Sequence, residues 1–429
     1  MLLSFYAQNF RSILELKVDF TYGEGKAPNG HGKLEVMPFI EAANGQRLVP
    51  CLAFFGANAS GKTNILKAFG VLQRLIRLDA PLSVFFEPNR INPKFEMTTL
   101  GAEFLVGGEH FDYRIAFSGE AIETESLLKN GQSIFSIRKL TSEFSTAILS
   151  PAYPKEKLDD IIRVECSDGV GRQTKPFLRR LGQAYPGLHG DLRSAVNFFV
   201  DSAKYDPNER PILLPQAVLI LASAMGGDDQ AATREITRTV QRLDVGIQSI
   251  DFRRRPLKPA ELAPFPHVHF KNPETGGTEE LQIKTTHLDV SGNPTEFDFI
   301  QHESAGTQRL AGLVALMLHA LKTGGVLLVD ELESSLHPLL MRELVLLFKK
   351  RRHNPKGAQL IFTTHNTDIL DDTILRISEI ALVRKTAANG TLVRRLVDAR
   401  KDGEDIRNVT NFRKQYLAGF YAGIPHPAL

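Results

Sequence analysis

Leu48 to Phe55 (LVPCLAFF) is a nearly unbroken apolar run. It leads directly into Gly56-Ala57-Asn58-Ala59-Ser60-Gly61-Lys62-Thr63. From Ser60 to Leu78 the apolar residues Ile65, Leu66, Phe69, Leu72 and Ile76 recur at helical spacing. A run that is apolar on both faces belongs to a strand buried in a parallel sheet. A 3.6-residue period belongs to a helix with one face against a core. The octapeptide between them satisfies G-x-x-x-x-G-K-[ST] at every fixed position. Gly56 and Gly61 let the backbone curl so that its N–H groups converge on phosphate oxygens. The helix N-terminus adds its dipole. Lys62 offers a point charge to β- and γ-phosphates, and Thr63 a hydroxyl to Mg²⁺. A chance Gly-rich turn does not account for strand, loop and helix in this order.

Three further clusters follow late in the chain. Val326-Leu327-Leu328-Val329 is an apolar strand ending in Asp330-Glu331. A buried strand ending in Asp is how P-loop proteins hold Mg²⁺, and an adjacent Glu is placed to polarise an attacking water. Glu303-Ser304-Ala305-Gly306-Thr307-Gln308-Arg309 precedes an amphipathic helix carrying Leu310, Leu313, Val314, Met317 and Leu321. The spacing fits a plain helix cap by Ser304 or Thr307, and equally a helix N-terminus offered to a phosphate. Ile361-Phe362-Thr363-Thr364-His365 is an apolar strand ending in a histidine, either a surface cap or a group that senses a γ-phosphate.

In chain order, P-loop, Ser304 to Thr307, Asp330-Glu331 and then His365, these motifs resemble the ATPase heads of ABC type that include the SMC, RecF and OLD proteins. The details are most similar to bacterial OLD-like abortive-infection ATPases. Asn9-Phe10-Arg11-Ser12 resembles their opening N-F-R-S, and Gly61-Lys62-Thr63-Asn64 their G-K-[ST]-N. Asp330-Glu331-Leu332-Glu333-Ser334-Ser335-Leu336-His337-Pro338 is similar to their D-E-x-E-x-x-L-H-P. The segment from Tyr416 to Pro425 resembles their tail. The resemblance implies a P-loop NTPase of ABC-ATPase type, an α/β fold whose mixed sheet carries an antiparallel β-meander and a helical insertion. It also implies an ATPase that uses ATP and Mg²⁺. Gly56 to Asn64 would bind nucleotide, Thr63 and Asp330 the metal, Glu331 would be the base and His365 the switch. Ser304, Gly306 and Thr307 would contact ATP on a second copy, making an ATP-sandwich homodimer, with Ser335 to His337 at the seam. Ala305 departs from the usual S-G-G, and no Q-loop glutamine is identifiable.

The expected organisation is an N-terminal ATPase lobe (1–139), a mainly helical insertion (140–278) and a C-terminal ATPase lobe (279–429). Lobe one contains two strands around residues 9–12, the P-loop unit, and a meander over 92–135. The insertion holds helices near 155–164, 216–225 and 231–243. The last lobe alternates helix 306–322, strand 325–330, helix 336–352, strand 358–364, helix 367–373 and strand 379–385. Hydrophobic residues make up 42% and charged residues 24% of the 429, which excludes a mostly disordered chain. Two cysteines exclude a disulfide framework and a cysteine zinc site. A reducing cytoplasmic setting is therefore expected, and no apolar run reaches the roughly 18 residues of a membrane span.

A net charge of +3 does not mark a nucleic-acid binder by bulk charge. Clusters at Arg253-Arg254-Arg255, Lys349 to Arg352, Arg394-Arg395 and Arg400-Lys401 read as solvated faces, with a DNA- or partner-binding surface as the alternative. OLD nucleases continue into an acidic, metal-binding TOPRIM domain. No such domain fits after His365, so a separate effector, a nuclease or toxin, is the expected partner. The expectation is thus a sensor or regulator ATPase of antiphage defence. A RecF-like DNA-repair ATPase is the alternative, and a transporter subunit fits less well.

Overall fold

The structure is a computed structural model. It describes residues 1–23, 36–37, 39–91, 93–144, 154–184, 190–205, 230–243, 246–256, 268–271, 278–334, 336–386, 388, 390–401 and 409–418. Residues 24–35, the helix expected over 216–225, Ser335 and the tail beyond Ala418 lie outside the described residues.

The apolar run forms the strand Cys51–Phe55 at the heart of a 13-stranded mixed sheet. It lies parallel to Gln359–Thr363 on one side and to Ile380–Thr386 on the other. Val326–Val329 pairs parallel to Gln359–Thr363, and Ala203–Tyr205 parallel to Val326–Val329. The strands that end in Phe55, Val329 and Thr363 therefore deliver the P-loop, the Asp330-Glu331 pair and His365 to one end of the sheet. Outside this parallel block the pairing turns antiparallel. Gly390–Arg395 returns along Ile380–Thr386 and touches Ile13–Asp19. Next come Leu2–Phe10 and a meander of Thr98–Val106, Glu109–Phe117, Ile122–Lys129, Gln132–Arg138 and Thr141–Phe144.

Alternation along the parallel strands divides the interior into two cores. Leu52 and Phe54 face one cluster with the P-loop helix Lys62–Arg77, the meander and the helices Phe177–Ala184 and Gly190–Asp201. Cys51, Ala53 and Phe55 face the other, with the helices Gln230–Arg242, Ala305–Thr323 and Pro338–Lys349. Val326 and Leu328 against Leu327 and Val329 repeat the split. A strand covered on both faces must be apolar at every position, which is why the sequence run was so readable. Among the described residues of the expected insertion, those of 155–201 share the first core and those from Ile236 to Ile250 the second.

The differences from expectation have local causes. Lys94 to Met97 is not a strand, and the meander begins at Thr98 and runs on to Phe144. The helix from Lys155 stops at Asp160 and continues as a π-turn over Ile161–Glu165. Strands Ser249–Pro256, Val268–Lys271, Thr278–Leu288 and Pro294–Asp298 form a second sheet, and the first two of them stand where mostly helix was expected. The helix expected over 367–373 shrinks to one 3₁₀ turn, Thr367–Ile369. Asn366 Oδ1 accepts from Asp368 N at 2.8 Å and Asp371 Oδ1 from Thr373 N at 2.7 Å. Such side-chain bonds to nearby backbone favour turns over helix.

Candidate functional site

The P-loop helix starts at Lys62, one residue after Gly61, which has φ 103°. A Cβ at Gly61 would sit 2.0 Å from Thr391 Oγ1, and one at Gly56 would sit 2.2 Å from the Val383 carbonyl oxygen. Both glycines are thus required by contact with the neighbouring strands, besides the curl of the loop. Ala59 takes φ 60° inside the loop. Behind it runs a chain of hydrogen bonds. Asn64 Nδ2 donates to Ser12 Oγ at 2.7 Å, Ser12 Oγ and Thr391 Oγ1 lie 2.7 Å apart, and Thr391 Oγ1 donates to Ser60 O at 3.2 Å. The turn after the first strand is itself pinned. Asn9 (φ 55°) donates to Phe95 O and Met97 O and accepts from Asn89 N, and Arg11 pairs with Glu87. The N-F-R-S stretch is therefore a brace for the loop.

Lys62 curls back over the loop, its Nζ donating to Gly56 O at 2.8 Å and Ala57 O at 3.0 Å. Burial lowers its pKa, opposed by the charges of Asp330, Glu333 and Glu331. Asp330 is 1% exposed. One of its oxygens accepts from Thr363 Oγ1 at 2.5 Å, and the other, Oδ2, is buried without a partner. Glu331 has φ 48°, and its N–H donates to the same Thr363 hydroxyl at 2.8 Å. His365 N donates to Glu333 Oε1 at 2.6 Å. Burial lowers the pKa of the His365 ring, with a further push from Lys62 against the pull of Glu333, Glu331 and Asp330.

Two adjoining cavities open here. One, of about 470 Å³, is lined by the loop from Asn58 to Asn64 with Ser12, Glu331, Thr363, His365 and Lys385. The other, of about 610 Å³, is lined by Gly56, Ala57, Asn58, Glu331, Glu333, His365, Tyr416 and Leu417. The sheet thus brings Gly56 to Asn64, Glu331 and His365 together, with Asp330 buried beneath them. Among the described residues no group of three or more His, Cys, Asp or Glu side chains could hold a metal ion. A hard cation here would draw ligands from phosphate and water, beside the Thr63 hydroxyl and the unpartnered Asp330 oxygen, and that donor set suits Mg²⁺.

Ser304, Gly306 and Thr307 line neither cavity. They begin the helix Ala305–Thr323, where Ser304 Oγ accepts from Thr307 N at 3.1 Å, so the capping role is real. Ser304 remains exposed. Arg309 ties this helix to the turn after Asp330 through Ser334 Oγ at 3.0 Å. His337 accepts from Leu339 N and caps the helix Pro338–Lys349.

Sequence reasoning missed Thr363, Thr391, Lys385 and the cavity position of Tyr416. Tyr416 sits with its ring 6.3 Å from that of Phe55. A threonine at the end of a strand carries no signal of its own, and Thr391 lies far from the loop in sequence. The basic clusters also read differently in space. Lys349 is buried and paired with Glu379 at 2.5 Å, Arg395 is buried with its Nη2 donating to Ser378 O, and Arg253 pairs with Glu296.

These features define a P-loop nucleotide-binding protein with an α/β fold and a mixed sheet. A family model described as "AAA domain, putative AbiEii toxin, Type IV TA system" matches residues 192–371. That range contains Ser304, Asp330 and His365 and begins after the P-loop. No curated protein matches the chain. Among solved structures the chain is similar to an SMC head bound to the C-terminal winged-helix domain of ScpA. The TM-score is 0.45 at 14% identity, over 93% of this chain and 99% of that one. It is also similar to the SMC head domain from Thermotoga maritima, with a TM-score of 0.41 at 15% identity over 92% and 98% of the two chains. No helix among the described residues is long and apolar enough to cross a membrane.

Proposed function

We propose that this protein is a Mg²⁺-dependent ATPase that closes as a homodimer on ATP and controls a separate effector in antiphage defence. The observation that carries the catalytic part is the convergence of Lys62, Glu331 and His365 on the P-loop cavities, with Asp330 buried beneath them. Lys62 would exchange its two carbonyl partners for phosphate oxygens, and the loop N–H groups would cradle the phosphates. Mg²⁺ would neutralise charge on the transferred phosphoryl group. Glu331 would orient and deprotonate the attacking water, and His365, held neutral by its surroundings, would donate or accept a hydrogen bond at the γ-phosphate.

The exposed Ser304 cap supports the dimer. A second copy could set this helix N-terminus against the open cavity, and hydrolysis would then remove the group that holds the copies together. The defence role rests on the likeness of the D-E-x-E-x-x-L-H-P and tail segments to OLD-like abortive-infection ATPases. The toxin–antitoxin description of the matching family agrees with a partner-controlled protein.

Calorimetry of ATP binding to wild type and Lys62→Ala tests the reading. Loss of two or more charge-assisted hydrogen bonds, about 1.5–3 kcal/mol each, should weaken binding roughly 100-fold or more. Equal affinities would remove Lys62 from the nucleotide site. Affinity capture of the protein from its own cells, with and without ATP, should retain one stoichiometric nuclease or toxin.

A further inference from the structure

We infer that Thr363 is a positioning residue for hydrolysis, because its single hydroxyl is clasped between the two acids that follow Val329 and sets the direction of both. The inference rests on the ATPase reading above and adds a residue to it. Thr363 ends the strand Gln359–Thr363, pairs in parallel with the strand before Asp330, and is completely buried. Its Oγ1 donates to Asp330 Oδ1 at 2.5 Å and accepts from the Glu331 N–H at 2.8 Å. The Thr363 carbonyl also accepts from Leu332 N at 3.1 Å. Donor and acceptor capacity of the hydroxyl are both in use, so its rotamer is fixed by the two residues it serves.

Each bond has a consequence. A carboxylate with one oxygen committed can rotate little, so the unpartnered Asp330 Oδ2 keeps one direction. That oxygen is the one available to a hydrated divalent cation. Glu331 stands at φ 48°, a left-handed conformation that a non-glycine residue holds only when its surroundings enforce it. The bond from its N–H to Thr363 is that enforcement. It turns the Glu331 side chain into the cavities that it lines with His365. Two residues past Thr363, the His365 N–H is latched to Glu333 at 2.6 Å. The strand end and the acidic turn are thus joined at two points, and Thr363 is the one that touches both candidate catalytic acids. Serine would preserve the hydroxyl, whereas valine keeps the shape and removes it.

The test compares wild type, Thr363→Val and Thr363→Ser in three measurements: ATP affinity in EDTA, the Mg²⁺ concentration that gives half-maximal turnover with kcat itself, and amide hydrogen exchange over residues 329–333. Thr363→Val should bind ATP in EDTA within about twofold of wild type. It should need about tenfold more Mg²⁺, lose at least tenfold in kcat, and exchange the Glu331 amide faster. Thr363→Ser should return all three to within about threefold of wild type. If Thr363→Val keeps wild-type Mg²⁺ dependence and exchange, the inference is overturned. It is overturned equally if Thr363→Ser is as impaired as valine, since the hydroxyl would then not be the active element. If valine unfolds the protein, Thr363→Ser against wild type and Thr363→Ala decides on the same readouts. A wild type that binds ATP but never turns over would instead refute the ATPase reading, and the exchange data would still report on the clasp.

Discussion

Gly61→Ala puts one methyl group where the P-loop meets the hairpin of Ile380–Thr386 and Gly390–Arg395. Gly61 has φ 103° and ψ 10°, outside the region an alanine occupies freely, at a cost of about 1–2 kcal/mol. The new Cβ would also lie 2.0 Å from Thr391 Oγ1 and 2.8 Å from Thr391 Cγ2. Thr391 is fully buried and cannot swing into solvent. Moving it breaks its bonds with Ser12 Oγ and Ser60 O, at about 1 kcal/mol each. The sum is about 3–4 kcal/mol, a large share of the roughly 5–15 kcal/mol that holds a domain folded. Urea denaturation measures it, with ATP affinity as a second readout.

The companion is Thr391→Ala, which removes the clashing hydroxyl and methyl and should cost about 2 kcal/mol from the same two hydrogen bonds. Because those bonds can be lost only once, the double variant should be destabilised by about 2 kcal/mol less than the sum of the singles. A double variant whose cost equals that sum would refute the steric argument. So would Gly61→Ala with unchanged stability.

Glu331→Gln should keep ATP affinity and lose roughly 10²–10⁴-fold in turnover, as expected for loss of a general base. Size-exclusion chromatography should then show an ATP-dependent dimer, and adding Ser304→Arg should abolish it. The depressed pKa of His365, caused mainly by burial and then by Lys62, means that the unfolded chain takes up its proton first as pH falls below the ordinary value of 6.5. Its stability contribution is therefore complete above 6.5 and declines through lower pH. Denaturation midpoints of His365→Gln should be flatter than wild type across that window. Lys349→Met strands the fully buried Glu379 carboxylate, whose remaining bond is from Arg376 N, and should cost about 3–5 kcal/mol in urea melts. Lys349→Met/Glu379→Leu should recover most of that loss.

What could be seen in the sequence was whatever is written locally. The P-loop, the apolar strands before Asp330 and His365, and the face of Ile65, Leu66, Phe69, Leu72 and Ile76 were legible because period and motif are short-range properties, and all five of those side chains are buried. What could not be seen depends on partners distant in the chain. Lys349 looked like part of a solvated basic run, and only Glu379, brought alongside by the fold, makes it a core residue. The strand Ser249–Pro256 has only Ile250 and Phe252 in alternation before Arg253-Arg254-Arg255, too short a pattern to announce it; Arg253 is accommodated by Glu296 across the second sheet. Thr363 and Thr391 lack any sequence signature, since a hydroxyl becomes a clasp only through what faces it.

The neighbours of the P-loop strand also set an order of assembly. Cys51–Phe55 is made long before the strands that cover its two edges, Gln359–Thr363 and Ile380–Thr386, and the brace at Ser12 waits for Thr391. Until those strands are made this five-residue apolar segment lacks its strand partners, and contacts so remote in sequence form slowly. Chains that stop short of Gln359 should leave both edges of this strand open, and chains that stop short of Thr391 should lack the brace behind the P-loop. Nucleotide binding at the P-loop would therefore report that the chain up to Thr391 has folded around it.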